Sequence, residues 1–234
     1  MDKLQKYKPT DKMIDLIGDN YSLLQVMSRF GLSLGFGDKT VKEVCEMNNV
    51  DCQTFLVVVN FMAEGFSRMD GSADDISIPA LVDYLRQAHI YFLDYFLPAI
   101  RRKLIEAIDC SQDDVSFLIL KFFDGYMREV RKHMEYEEKT VFKYVDTLIH
   151  GNAPKNYQIS TFSKHHDQVG ERLTELKNII IKYCPAKANT NVLNAALFDI
   201  YACEEGLESH CKVEDYLFVP AILKLERRMR ENEK

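Results

Sequence analysis

The sequence predicts an all-α protein, an up-down-up-down four-helix bundle preceded by a small helical N-terminal domain. Three observations predict it. Glycine and proline are scarce, 10 and 6 in 234 residues, and they cluster between long segments of helical apolar periodicity. Those segments lengthen after Pro79 and have short connections, which makes antiparallel neighbours. One spacing also occurs twice. His89 precedes His133, and His166 precedes His210, by 44 positions each, and Glu137 and Glu214 follow four positions later.

In chain order, residues 10–30 read as a helix opened by Thr10-Asp11, with Met13, Ile14, Ile17, Leu23, Leu24 and Met27 on a broad apolar face. Gly31 through Asp38 is a glycine-bearing turn. Thr40 to Met47 and Cys52 to Ala63 read as two short helices separated by Asn48-Asn49. The polar stretch Met69 to Asp75 suits a linker. The expected division is therefore an N-terminal domain over 1–70, a linker over 71–78 and the bundle over 79–234. Its long helices are expected at about 79–109, 112–149, 157–183 and 188–231. Gly151 to Pro154 separates the second from the third, and Pro185 separates the third from the fourth.

Composition narrows the function classes. A net charge of −6 argues against general affinity for nucleic acid or anionic lipid. The N-terminal residues lack the apolar core of a signal peptide, and no apolar run is long enough to span a membrane. Six cysteines form no C-x-x-C pair and read as buried or half-buried thiols of a cytoplasmic protein. Cys211 adjoins His210 but faces about 100° away from it on a helix, so it is not counted as a ligand.

The doubled spacing carries the chemistry. His133 and Glu137, like His210 and Glu214, are four apart and so stack on one helical face. Each such helix can present an imidazole to one metal and a carboxylate that reaches between two. His89 and His166 come from the other two helices. The six residues are the donor inventory of a two-metal site. Mixed imidazole and carboxylate donors suit iron, manganese or zinc. Aromatic residues flank the ligands, among them Tyr91, Phe92, Tyr95, Phe96, Phe142, Tyr144 and Phe218, and read first as bundle core. His150 beside Gly151 reads as a helix C-terminal residue, and His165 as exposed.

The segments His133-Met134-Glu135-Tyr136-Glu137-Glu138, His165-His166-Asp167-Gln168-Val169-Gly170 and His210-Cys211-Lys212-Val213-Glu214 resemble the H-x-x-x-E and H-D signatures of hemerythrin-like proteins. The four-histidine, two-glutamate set is most similar to the Repair of Iron Centers di-iron proteins. The resemblance is strong over 79–225 and weak over 1–70. It implies two non-haem iron ions per chain, bridged by Glu137 and Glu214, with His89, His133, His166 and His210 as terminal ligands. It implies O2 or NO as small ligands, and a role in recovering iron–sulfur proteins after nitrosative or oxidative stress. Oxygen-carrying hemerythrins use a fifth histidine. Four imply a more open site, which favours redox or small-gas reactivity over oxygen storage.

One segment departs from that family. Its N-terminal domain commonly carries a Cys-Cys-Gly-Gly turn, whereas the comparable turn here, Ser33 to Asp38, has no cysteine. Thr40 to Phe55 has the outline of a helix-turn-helix, but residues 1–75 carry 8 Lys+Arg against 12 Asp+Glu, the wrong sign for phosphate contacts. Packing or homodimerisation is the expected role of that domain. Two further functions are consistent with the residues: an O2 or NO sensor signalling through the N-terminal domain, and a reductase of NO or peroxide.

Overall fold

The computed structural model describes residues 6–64, 76–108, 114–152, 154, 157–164, 168–184 and 188–232. Among them the chain is all helical apart from turns and one isolated antiparallel bridge between Lys12 and Thr40. The helices are α1 (Met13–Asp19), α2 (Leu23–Arg29), α3 (Val41–Met47), α4 (Cys52–Glu64), α5 (Ile78–Ile90), α6 (Leu97–Ala107), α7 (Asp114–Tyr136), α8 (Phe142–Ile149), α9 (Gln168–Tyr183), α10 (Thr190–Val213) and α11 (Val219–Asn232). Three π-helical turns, Tyr91–Phe96, Glu137–Val141 and Glu214–Phe218, join α5 to α6, α7 to α8 and α10 to α11. Three of the expected long helices are therefore rods with a widened turn inside them. The expected helix over 157–183 instead has a 3₁₀ segment, Ile159–Lys164, ahead of α9.

Contacts divide the chain into two compact units. One is Met1–Ala88 with Lys212–Lys234, and the other is His89–Cys211. In the first, the single helix expected over 10–30 is two. The Asn20 backbone is extended, and its side-chain oxygen accepts from the Ser22 N–H and hydroxyl. A side chain that bonds the local backbone competes with helix continuation at that point. Nor does Thr10-Asp11 cap α1: Lys12 takes the N-cap position without a side-chain bond. The glycine turn behaves as its composition requires, since Gly31, Gly35 and Gly37 all have positive φ. Thr40 and Glu43 form a reciprocal capping box at the start of α3. The core of this unit includes Phe30 against Phe55 and Tyr84, and Phe61 against Tyr216. Asn60 both accepts from the Tyr7 N–H and donates to the Tyr7 carbonyl, which ties the N-terminal strand of chain to α4. Most of the linker expected at 71–78 falls outside the described residues.

The second unit closes as a ring of four helices. Arg101 on α6 pairs with Asp124 on α7 at 2.6 Å. Arg172 on α9 pairs with Glu129 on α7. Glu204 on α10 accepts from Thr174 at 2.8 Å and pairs with Lys177, both on α9. Lys103 on α6 returns to Asp199 on α10 at 2.6 Å, and the Asn189 N–H donates to the Ala107 carbonyl. Inside the ring lies apolar surface. Ile119, Phe123, Tyr126, Val130, Met134 and Val141 are buried along the α7 rod at helical spacing, and Ala196, Ile200, Cys203 and Leu207 along α10. Each such side chain contributes about 1.5–3 kcal/mol when fully buried, whereas the exposed ion pairs contribute about 1 kcal/mol or less. The stripes of burial therefore set helix orientation, and the ion pairs decorate it.

Candidate metal centre

The apolar stripes carry a set of polar exceptions. His89, Glu137, His210 and Glu214 are 3%, 0%, 1% and 0% exposed. Their positions follow from the helical period. Glu137 continues the Val130–Met134 stripe, His210 continues Cys203–Leu207, and His89 follows Leu81, Leu85 and Ala88 on α5. A carboxylate with no exposure costs several kcal/mol unless positive charge or hydrogen bonds compensate it. Here imidazoles do so. Glu137 Oε1 lies 2.8 Å from His133 Nε2, and Glu137 Oε2 lies 2.9 Å from His89 Nε2. One carboxylate thus spans two imidazoles on two different helices, an oxygen to each.

The electrostatics follow this geometry. Burial pushes the Glu137 carboxyl upward, but the bonds from His133 and His89 outweigh it and hold the group well below the usual carboxylate range. Burial likewise pulls the His89 imidazole down, and Glu137 and Glu138 together hold it above the ordinary histidine value. The His89 ring is stacked on Phe142, with centroids 5.5 Å apart and planes 10° apart, and its edge meets the His210 ring at 5.1 Å.

Glu214 stands one turn beyond His210 on the same rod. His89, Glu137, His210 and Glu214 each offer a ligand atom within 4.8 Å of the others. His133, 15% exposed at its side chain, joins through Glu137. Five of the six expected ligands are therefore described as buried or half-buried on the helices that spacing assigned to them. His166, like His165, lies outside the described residues. Cys211 is absent from the group, and His150 sits on its own helix end, with Nδ1 at 2.8 Å from the Asp146 carbonyl.

The donor chemistry fits metal ions. Nitrogen and carboxylate oxygen converge at ligand-to-ligand distances, and the surrounding core excludes water that would compete for them. Not all the flanking aromatics belong to such a lining. Phe92, Phe142 and Phe218 are fully buried, but Tyr95 is 63% exposed and faces solvent.

Two features were missed by sequence reasoning. The first is the widened turns. Tyr91–Phe96 begins two residues after His89, Glu137–Val141 begins on Glu137, and Glu214–Phe218 begins on Glu214. In each, an N–H reaches back five residues, from Leu97 to Phe92, from Phe142 to Glu137 and from Val219 to Glu214. Such π turns occur mainly as single turns within α-helices, often at functional sites. Pro98 and Pro220 were the available signal, because proline lacks the N–H and crowds the carbonyl four residues back. The second is Glu138, whose Oε1 lies 3.0 Å from His89 Nδ1. Its signal was the doubled acid Glu137-Glu138.

A family model described as the Hemerythrin HHE cation binding domain matches residues 80–222. No curated protein matches the chain.

Proposed function

The chain belongs to the hemerythrin HHE cation-binding family, and from that premise we propose that it holds a pair of iron ions with which it reacts with O2 or NO in nitrosative or oxidative stress defence. The observation that carries the reading is the convergence of His89, Glu137, His210 and Glu214 in a group 0–3% exposed. His89, His133, His166 and His210 would serve as terminal ligands, and Glu137 and Glu214 as bridges. The pair of irons would supply one-electron chemistry and an open coordination position for a diatomic molecule.

The protein's own share is positioning and exclusion. Glu137 offers one oxygen toward His133 and the other toward His89, the orientation that a carboxylate shared between two metals would need. The buried Phe142, stacked on His89, and Phe92, 6.2 Å from the His210 ring, keep bulk water from the ligand set. A dry setting strengthens each charge interaction within it. Donation of iron to damaged iron–sulfur proteins is the finer reading, and its support is the resemblance to Repair of Iron Centers proteins.

Metal analysis and an optical spectrum of protein reconstituted anaerobically with iron(II) test the proposal. About two irons per chain, and charge-transfer absorption on exposure to O2 or NO, are expected. Protein that takes up no iron would overturn the reading. For the finer role, iron should move to a cluster-depleted iron–sulfur protein mixed with the loaded chain. No transfer would leave a gas-binding or sensing protein.

A further inference from the structure

His89 is held on three sides by one short stretch of chain. Glu137 faces its Nε2 at 2.9 Å, Glu138 faces its Nδ1 at 3.0 Å, and Phe142 stacks beneath the ring. In a regular helix, neighbouring residues diverge by about 100°, and the residue stacked one turn beyond Glu137 would be Val141. The widened turn makes the backbone bond from Phe142 to Glu137 five residues long. It thereby sets Phe142 beside Glu137 and leaves both carboxylates within reach of one imidazole. Glu138 differs from Glu137 in kind, since its side chain is 36% exposed against 0% and lies outside the 4.8 Å ligand group.

We propose that Glu138 is the positioning residue for His89: it accepts the Nδ1–H and so commits Nε2 to the metal. An imidazole carries two nitrogens, and the proton on one decides which is the ligand. A ring that can flip or change tautomer presents the metal with the wrong atom for part of the time. The Glu138 bond removes both freedoms, and the Phe142 stack fixes the ring plane. A carboxylate on the far nitrogen also makes the near nitrogen a better donor. This inference rests on the metal-pair reading, but it concerns a residue outside the ligand set.

The test uses the full chain freed of metal, with the variants Glu138→Ala and Glu138→Gln. Iron(II) is added anaerobically, and stoichiometry and Kd are read by competition with a chromogenic chelator. Unchanged stoichiometry and a Kd raised about 10- to 100-fold are expected for Glu138→Ala. Glu138→Gln should lose less, because its amide oxygen still accepts the Nδ1–H. In the zinc(II)-loaded protein with ¹⁵N-labelled histidine, the His89 Nδ1–H signal should persist in the wild type and Glu138→Gln but exchange away in Glu138→Ala. If Glu138→Ala does not fold, Glu138→Gln decides, with a weakening of a few-fold. Affinity within about twofold of wild type would overturn the proposal. A drop in stoichiometry would overturn it too, because Glu138 would then be a ligand. If the wild type itself binds no iron or zinc, the metal-pair reading fails instead.

Discussion

The segments 133–142 and 210–219 are two versions of one device, and they differ in what holds them open. Both place a histidine and a glutamate four apart, and both widen the helix at the glutamate. In 210–219 a proline follows the wide turn, Pro220, as Pro98 follows Tyr91–Phe96. Proline removes a donor and crowds the preceding turn, so the widening there has a local cause. In 133–142 no proline follows: Phe142 is succeeded by Lys143. That turn is held by its tertiary contacts, with Glu137 and Glu138 on the two nitrogens of His89 and Phe142 against the ring. The same backbone shape thus occurs once with a proline beside it and once without. The second kind should be the more sensitive to loss of its partners.

The strongest break of the comparison is to remove either of the two acids proposed to bridge, Glu137 or Glu214. Glu137→Ala and Glu214→Ala should each abolish uptake of a metal pair, read as iron per chain. Glu137→Ala should in addition cost the metal-free protein about 1–3 kcal/mol in urea unfolding, because His133 Nε2 and His89 Nε2 lose a buried partner. Full iron loading in both variants would refute the bridging roles, and full loading in only one would end the equivalence of the two segments.

A subtler break is to delete Lys139, an exposed residue of the wide turn. Deleting a residue from a regular helix turns everything beyond it by about 100°. Here the loss should close the five-residue bond to four and leave α8 in register. Helical circular dichroism should stay as it was, while iron(II) affinity falls by at least about tenfold. Collapse of the helical signal would show that the wide turn is needed for folding rather than for the site.

Phe142→Ala should cost about 3–5 kcal/mol, as expected for a fully buried aromatic, and should loosen the His89 ring. Thermal or chemical unfolding reads the first effect. A cost below about 1 kcal/mol would show that the stack contributes little.

The smallest effect lies outside both segments. The bond from Arg101 holds the Asp124 carboxyl below its usual range. A folded-state value lowered in this way means that its contribution is complete above the unfolded aspartate value near ~4 and fades as pH falls below it. Both groups are about a third exposed, so Asp124→Asn should cost no more than about 1 kcal/mol at neutral pH, and less at pH 3. A cost that is equal at both pH values would mean the pair is not electrostatic in origin.

What could be read in the chain is what a single helix enforces by itself. Four residues make about one turn, so the His133–Glu137 and His210–Glu214 pairs had to share a face wherever those rods came to lie. The capping box at Thr40, the glycine turn after Phe30 and the long helices beyond Pro79 are legible for the same reason: each is a preference acting over a few neighbouring residues. The break at Asn20 was local too, but it was masked by an apolar face continuing through it. What only packing decided is which atoms meet between rods. That Glu137 divides its oxygens between His133 and His89, that Glu138 reaches His89, and that α7 widens without a proline all depend on helices distant in sequence. Periodicity records the face that each residue takes, but not its height along the neighbouring helix or the turn that must stretch to meet it. Such contacts are the sum of many small packing terms over the whole core, so no short stretch of sequence contains them.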